Sequence, residues 1–156
     1  MALLFLKKIG AVMLLALIII ASDFAVVYGV NAKVSEALNN AVDAAIIENL
    51  DNAALTYQGM DEILKELVRQ KFIRVMEEEL GAGYSPAKNA FYNNVFYRHG
   101  IKLNEFRTDW YGEFPKVYAS VSVKVDTALL GKLMPGRAEV KINNFDSLYW
   151  QWAYLQ

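Results

Sequence analysis

Polar and apolar positions along this chain fall into three regimes. From Ile9 to Ala21 the row IGAVMLLALIIIA carries no charge, and after Ser22 and Asp23 it resumes as FAVVYGV, ending at Val30. As a helix at about 1.5 Å per residue, Ile9–Val30 spans roughly 33 Å, close to the ~30 Å hydrocarbon thickness of a bilayer. The second regime is amphipathic. Asn31 to Tyr57 continues the helix, with Val34, Leu38, Ala41 and Ala45 recurring at helical spacing beside Ala37 and Ala44. Gln58 and Gly59 interrupt it, and Met60-Asp61-Glu62 opens a second helix with acids in its first turn. Leu64, Leu67, Val68, Phe72, Val75, Met76 and Leu80 form its apolar face, and Gly81-Ala82-Gly83 closes it. Pro86 is read as the start of a short helix through Tyr97, with Phe91, Val95 and Phe96 inward. The third regime has period 2. Val121, Val123 and Val125 alternate with Ser120, Ser122, Lys124 and Asp126, and Ala138, Val140 and Ile142 with Arg137, Glu139 and Lys141. Each alternation predicts a half-buried strand, and together they predict an antiparallel sheet laid against a helix. The connection TALLGKLMPG between them is too apolar to be wholly solvated and is expected to pack back on the body. The predicted class is α+β: a long N-terminal helix extended by an amphipathic one, further short helices, and a small C-terminal antiparallel sheet.

Charge sharpens this division. The 156 residues include 16 Lys+Arg and 17 Asp+Glu, and the only charges before Lys33 are Lys7, Lys8 and Asp23. The chain therefore divides into residues 1–32, a leader with a transmembrane helix, and residues 33–156, an extracytoplasmic α+β domain. Lys7 and Lys8 at the mouth of the apolar stretch place residues 1–8 in the cytoplasm by the positive-inside rule. A cleaved secretory signal is the main competitor, with Val30-Asn31-Ala32 as a cleavage site. The length of the stretch and its flanking charge favour retention. A net charge of −1 gives no reason to expect a nucleic-acid partner. The absence of cysteine excludes disulfides, thiolate metal sites and a Cys nucleophile.

Little in the sequence proposes chemistry. It contains no GxGxxG, Walker loop, HExxH or GxSxG, and no paired carboxylates at a spacing suited to acid–base work, so no enzyme, cofactor or metal is expected. Adjacent residues on a helix do not share a face, so Glu77-Glu78-Glu79 reads as a solvated surface rather than a metal site. His99, the only histidine, lacks a second ligand or nucleophile in its vicinity and reads as a surface or capping residue. Trp150, Trp152 and Tyr154 fall on one side of a strand and are either core or a surface contact strip, and Trp110, Tyr111 and Phe114 are candidates for the same cluster. Asp23 is costly inside lipid. Either it lies near the outer headgroups, or it pairs between subunits with Lys7 or Lys8 of a staggered neighbouring helix.

The basic leader, the hydrophobic helix running straight into an amphipathic one, and the small sheet after it resemble the type IV pilin superfamily, particularly the pseudopilin-like subunits of tight-adherence pili. Lys7-Lys8-Ile9-Gly10 followed by Ala11 is similar to the site cut by prepilin peptidases, which implies that peptidase as a partner and Ala11 as the new N-terminus. The family usually carries a glutamate five residues after the cut, where this chain has Leu15. The resemblance implies a structural subunit held in the cell membrane by one span among lipids, which then polymerises into an extracellular helical homopolymer. Leu14, Leu15, Ile18, Val34, Leu38, Ala41 and Ala45 would pack helix on helix between copies. A bulky substitution such as Ala41→Trp is then expected to block polymerisation and spare insertion. Two alternatives stay open: a monomeric membrane-anchored accessory protein of a secretion or DNA-uptake machine, and an exported carbohydrate-binding module.

Overall fold

The computed structural model describes residues 2–47, 62–93, 97–111, 114–134 and 139–147, of which 2–6, 62–63, 98, 110–111, 114–115 and 145–147 are described as backbone only. The fold is α+β. Helix α1, Ala2–Ile47, runs unbroken for 46 residues, about 69 Å at ~1.5 Å per residue. Helix α2, Glu62–Leu80, packs along its C-terminal half. Five strands follow in one antiparallel sheet: β1 Gly83–Ser85, β2 Ala90–Asn93, β3 Tyr97–Tyr111, β4 Phe114–Lys124 and β5 Glu139–Ser147. Their spatial order is their chain order, so every pairing is between neighbours in sequence. A one-turn helix α3, Leu130–Leu133, sits in the connection from β4 to β5.

The core lies between the two helices and one face of the sheet. Val34, Leu38, Ala41, Val42 and Ala45 of α1 have no exposure, and they meet Val68, Phe72 and Met76 of α2 and Ile101, Val117, Ala119 and Val121 of the sheet in one cluster. Small residues on α1 let the second helix approach closely, as the alanine spacing requires. Phe72 stacks on Phe106 of β3 with ring centroids 4.8 Å apart, joining helix to sheet. Asn40 Nδ2 donates to Glu79 Oε1 at 3.1 Å and ties α1 to the last turn of α2 at the surface. The stripe Val34, Leu38, Ala41 and Ala45 thus packs helix on helix inside one subunit, not between copies. Ala41→Trp would disrupt the core itself, so it does not isolate polymerisation.

Helix α2 ends as expected. Gly81 adopts φ +57°, and Ala82 N–H donates to Glu77 O at 3.1 Å, the six-to-one bond of a Schellman cap. Leu67, expected on its apolar face, is 44% exposed. The buried row is Leu64, Val68, Phe72, Met76 and Leu80, narrower than the sequence pattern, because two partners cover only one side.

The segment after Pro86 departs from expectation. It is a hairpin turn, not a helix: Lys88 N–H and Asn89 N–H donate to Ser85 O and Pro86 O, and Asn89 reaches φ +49°. Asn89 Nδ2 then donates to Leu103 O at 2.6 Å while its own carbonyl accepts from Leu103 N–H, so the turn is bonded onto β3. Phe91 is inward as expected, on strand β2. Val95 and Phe96 lie outside the described residues, as do the expected continuation of the helix from residue 48 to Tyr57, the expected break at Gln58-Gly59 and the tail from Leu148 onward.

Strands β4 and β5 carry the expected alternation, with Val121, Val123 and Val140 on the core side. The serine face of β4 is less solvated than the pattern implied. Ser120 Oγ donates to Asn143 Oδ1 at 2.6 Å and Ser122 Oγ to Asn104 Oδ1 at 3.1 Å, and both serines are buried.

Two glycines are conformationally required. Gly100 has φ +77°, and a Cβ there would lie 2.7 Å from a Tyr92 ring carbon, whereas at Gly81 the nearest atom is 3.9 Å away. We expect Gly81→Ala to cost about 1 kcal/mol, from left-handed backbone alone, and Gly100→Ala about 2–3 kcal/mol, strain and steric clash together. Urea unfolding of the full chain in mild detergent, followed by near-ultraviolet circular dichroism, measures both. Equal losses would contradict the clash.

Candidate functional site

A helix of this length cannot be covered by the body it feeds. From Lys7 to Leu15 every side chain of α1 is exposed, as are Leu17 and Ile18, while Ala16, Ile19 and Ile20 are partly covered. Leu14, Leu15 and Ile18 are each about three-fifths exposed. From Lys7 onward α1 is a helix long and apolar enough to cross a membrane. Gly10 and Ala11 lie within the exposed helix, and a Cβ on Gly10 would meet nothing within 4 Å. A peptidase would find this bond in helical conformation and free of the folded body.

The body takes hold of α1 at Asp23. Helix α3 begins at Leu130 and has Leu129 as its cap residue, with no side-chain cap of its own. Its first amides therefore need an acceptor from elsewhere. Asp23 supplies it from more than a hundred residues away: Ala128 N–H donates to Oδ1 at 2.9 Å, and Leu129 and Leu130 N–H donate to Oδ2 at 2.7 and 2.8 Å. Thr127 Oγ1 accepts from Gly131 N–H at 2.7 Å, and Leu130 is buried. Asp23 is buried as a residue, and its carboxylate accepts three charge-assisted bonds.

Asp23 thus has acceptor duties that the sequence did not announce, three backbone amides of its own chain. Within the subunit its carboxylate is bonded to the backbone of its own chain, and Lys7 and Lys8 are exposed some 22–24 Å back along the helix at ~1.5 Å per residue. The body's grip begins ten residues ahead of Lys33, the first charge of the body.

Beyond Asp23 an open groove runs between α1 and β5, the last strand of the sheet among the described residues, lined by Phe24, Val27, Tyr28 and Asn31 on one side and Glu139, Val140 and Lys141 on the other. Phe24, Val26 and Tyr28 are exposed. The connection from β4 to β5 emerges at this same level, and it contributes two further exposed apolar residues, Leu133 and Met134. The apolar composition of Thr127–Gly136 signalled that this segment packs somewhere, but nothing in its residues named Asp23 as the place.

The three consecutive glutamates each have a separate structural task. Glu77 Oε1 accepts from Tyr84 N–H at 2.6 Å, Glu78 pairs with Arg74 at 3.0 Å, and Glu79 accepts from Asn40. Among the described residues no group of three or more metal-ligating side chains comes together. His99 is exposed on β3, with Nε2 2.8 Å from Asp126 Oδ1. Trp150, Trp152 and Tyr154 lie outside the described residues. For Trp110, Tyr111 and Phe114 only the strand backbone is described. Comparison with protein-family models, with curated proteins and with solved structures finds no match.

Removing the Asp23 carboxylate takes the acceptor from three amides of the α3 loop, of which that of Leu130 is buried. For Asp23→Ala we expect hydrogen exchange at Ala128, Leu129 and Leu130 to accelerate roughly tenfold or more, while the α2 amides stay protected. Asp23→Asn keeps one oxygen acceptor and should fall between. Unchanged exchange in the alanine variant would show that the loop is held by packing alone.

Proposed function

We propose that this chain is a structural, pilin-like filament subunit, stored as a single-pass membrane protein with its N-terminus in the cytoplasm and then polymerised through residues 9–22. The observation that carries this reading is the division of one helix. Its C-terminal half is core, whereas its N-terminal part exposes Val12, Met13, Leu14, Leu15, Leu17 and Ile18 together. Each such side chain gains about 1.5–3 kcal/mol on leaving water, so the stretch must be covered by lipid, by protein, or by each in turn. A rigid rod projecting from a compact body supports exchange between the two, since its lipid-facing side chains can pack against copies without refolding the body. The basic residues before Gly10 and the likeness to the pilin superfamily support the same reading. Homopolymer contacts then fall on Leu14, Leu15 and Ile18, and Val34, Leu38, Ala41 and Ala45 serve the subunit's own core.

Electron microscopy of material sheared from cells tests it. The wild-type chain is expected in filaments. Replacing Leu14, Leu15 and Ile18 together by alanine keeps the stretch apolar enough to insert but removes packing volume, and should lower filament yield by ~10-fold or more with the membrane fraction unchanged. Wild-type protein that stays in the membrane and never shears off as filaments would favour the monomeric accessory protein instead.

A further inference from the structure

Of the large apolar side chains exposed among the described residues, all but Ile47 and Leu67 lie either on α1 from Ile9 to Tyr28 or at Leu133 and Met134. The last two belong to the body, not to the rod. They are 64% and 55% exposed, and they follow Leu130, whose amide is bonded to Asp23, by three and four residues. The loop that carries them joins the ends of β4 and β5 that lie nearest the free part of α1, since Glu139–Lys141 face Phe24–Asn31 across the groove.

We propose that the loop Thr127–Met134 is an interfacial foot, with Leu133 and Met134 entering the bilayer at the boundary between headgroups and acyl chains and fixing the depth at which α1 sits. This rests on the membrane-stored stage of the function proposed above. Three observations commit the occupant to lipid. The two residues follow closely on Leu130, whose amide is bonded to Asp23 at the end of the exposed apolar part of α1, within the helix that is long and apolar enough to cross a membrane. Exposed Lys132 stands beside the two apolar residues and is complementary to anionic headgroups. The loop's leading amides, which would be costly to bring near hydrocarbon unpaired, already have their acceptors in Asp23 and Thr127. The foot also accounts for length: Ile9–Ser22 covers only about 21 Å at ~1.5 Å per residue, so the body must approach the membrane closely for so short a rod to cross most of it.

The absence of cysteine makes the test clean. Single cysteines at Ile18, Leu67, Leu133 and Met134 of the full chain are spin-labelled. The labelled chains are reconstituted in vesicles of roughly three parts phosphatidylcholine to one part phosphatidylglycerol. Accessibility to oxygen against a water-soluble nickel chelate then gives depth. Labels at Leu133 and Met134 are expected about 5–10 Å below the phosphates, the Ile18 label deeper, and the Leu67 label in water. Water-like values at Leu133 and Met134 with a deep Ile18 would overturn the foot and leave the membrane span standing. Water-like values at Ile18 as well would overturn both.

Discussion

One unbroken helix has to satisfy two solvents, and the rest of the structure follows from how the chain manages that. The C-terminal half of α1 is buried by α2 and the sheet, so it cannot be withdrawn without unfolding the body. The stretch before Asp23 has no such cover and must find apolar surroundings elsewhere. Asp23 marks the join. A carboxylate there would be a liability in lipid, yet it caps the loop that closes the end of the body, so the most awkward residue of the apolar stretch is also the one that attaches it.

The sheet serves this arrangement more than it forms a site of its own. Its strands pair in chain order, which places the β4–β5 connection at the end from which α1 emerges and leaves the edge of β5 beside α1. The polar cross-links Ser120–Asn143 and Ser122–Asn104 hold strands β3 to β5 together on the face away from the helices. The small residues of α1 are used inside the chain's own core, and its exposed bulky side chains, Ile47 aside, lie from Ile9 to Tyr28.

Much of this was legible in the sequence where periodicity is unbroken. The apolar stretch, the buried row of α2, its glycine cap and the alternation of β4 and β5 all read directly from spacing. Strand β3 was hidden because a bulge at Asn104 shifts its phase: Ile101 and Leu103 face the core on one side of the bulge and Phe106 on the other, so no simple period of two survives. The Pro86 segment departs from its pattern because a turn followed by a short strand with Phe91 inward spaces its apolar residues much as one helical turn would. Alanine spacing shows that a helix will approach α1 closely, but not whether that helix belongs to the same chain. The partner of Asp23 was illegible for a plainer reason: backbone amides carry no side-chain signature, so no residue type at positions 128–130 announces that a carboxylate will land there.

The central claim is that α1 changes environment at Asp23, and a cysteine walk from Val12 to Lys33 in intact cells tests it most directly. With a membrane-impermeant maleimide, residues Val12 to Ile20 should stay unlabelled and Tyr28 and Asn31 should react, with the change falling around Asp23. If Val12 to Ile18 label as readily as Tyr28, that end of the helix is in water and the division of α1 is wrong.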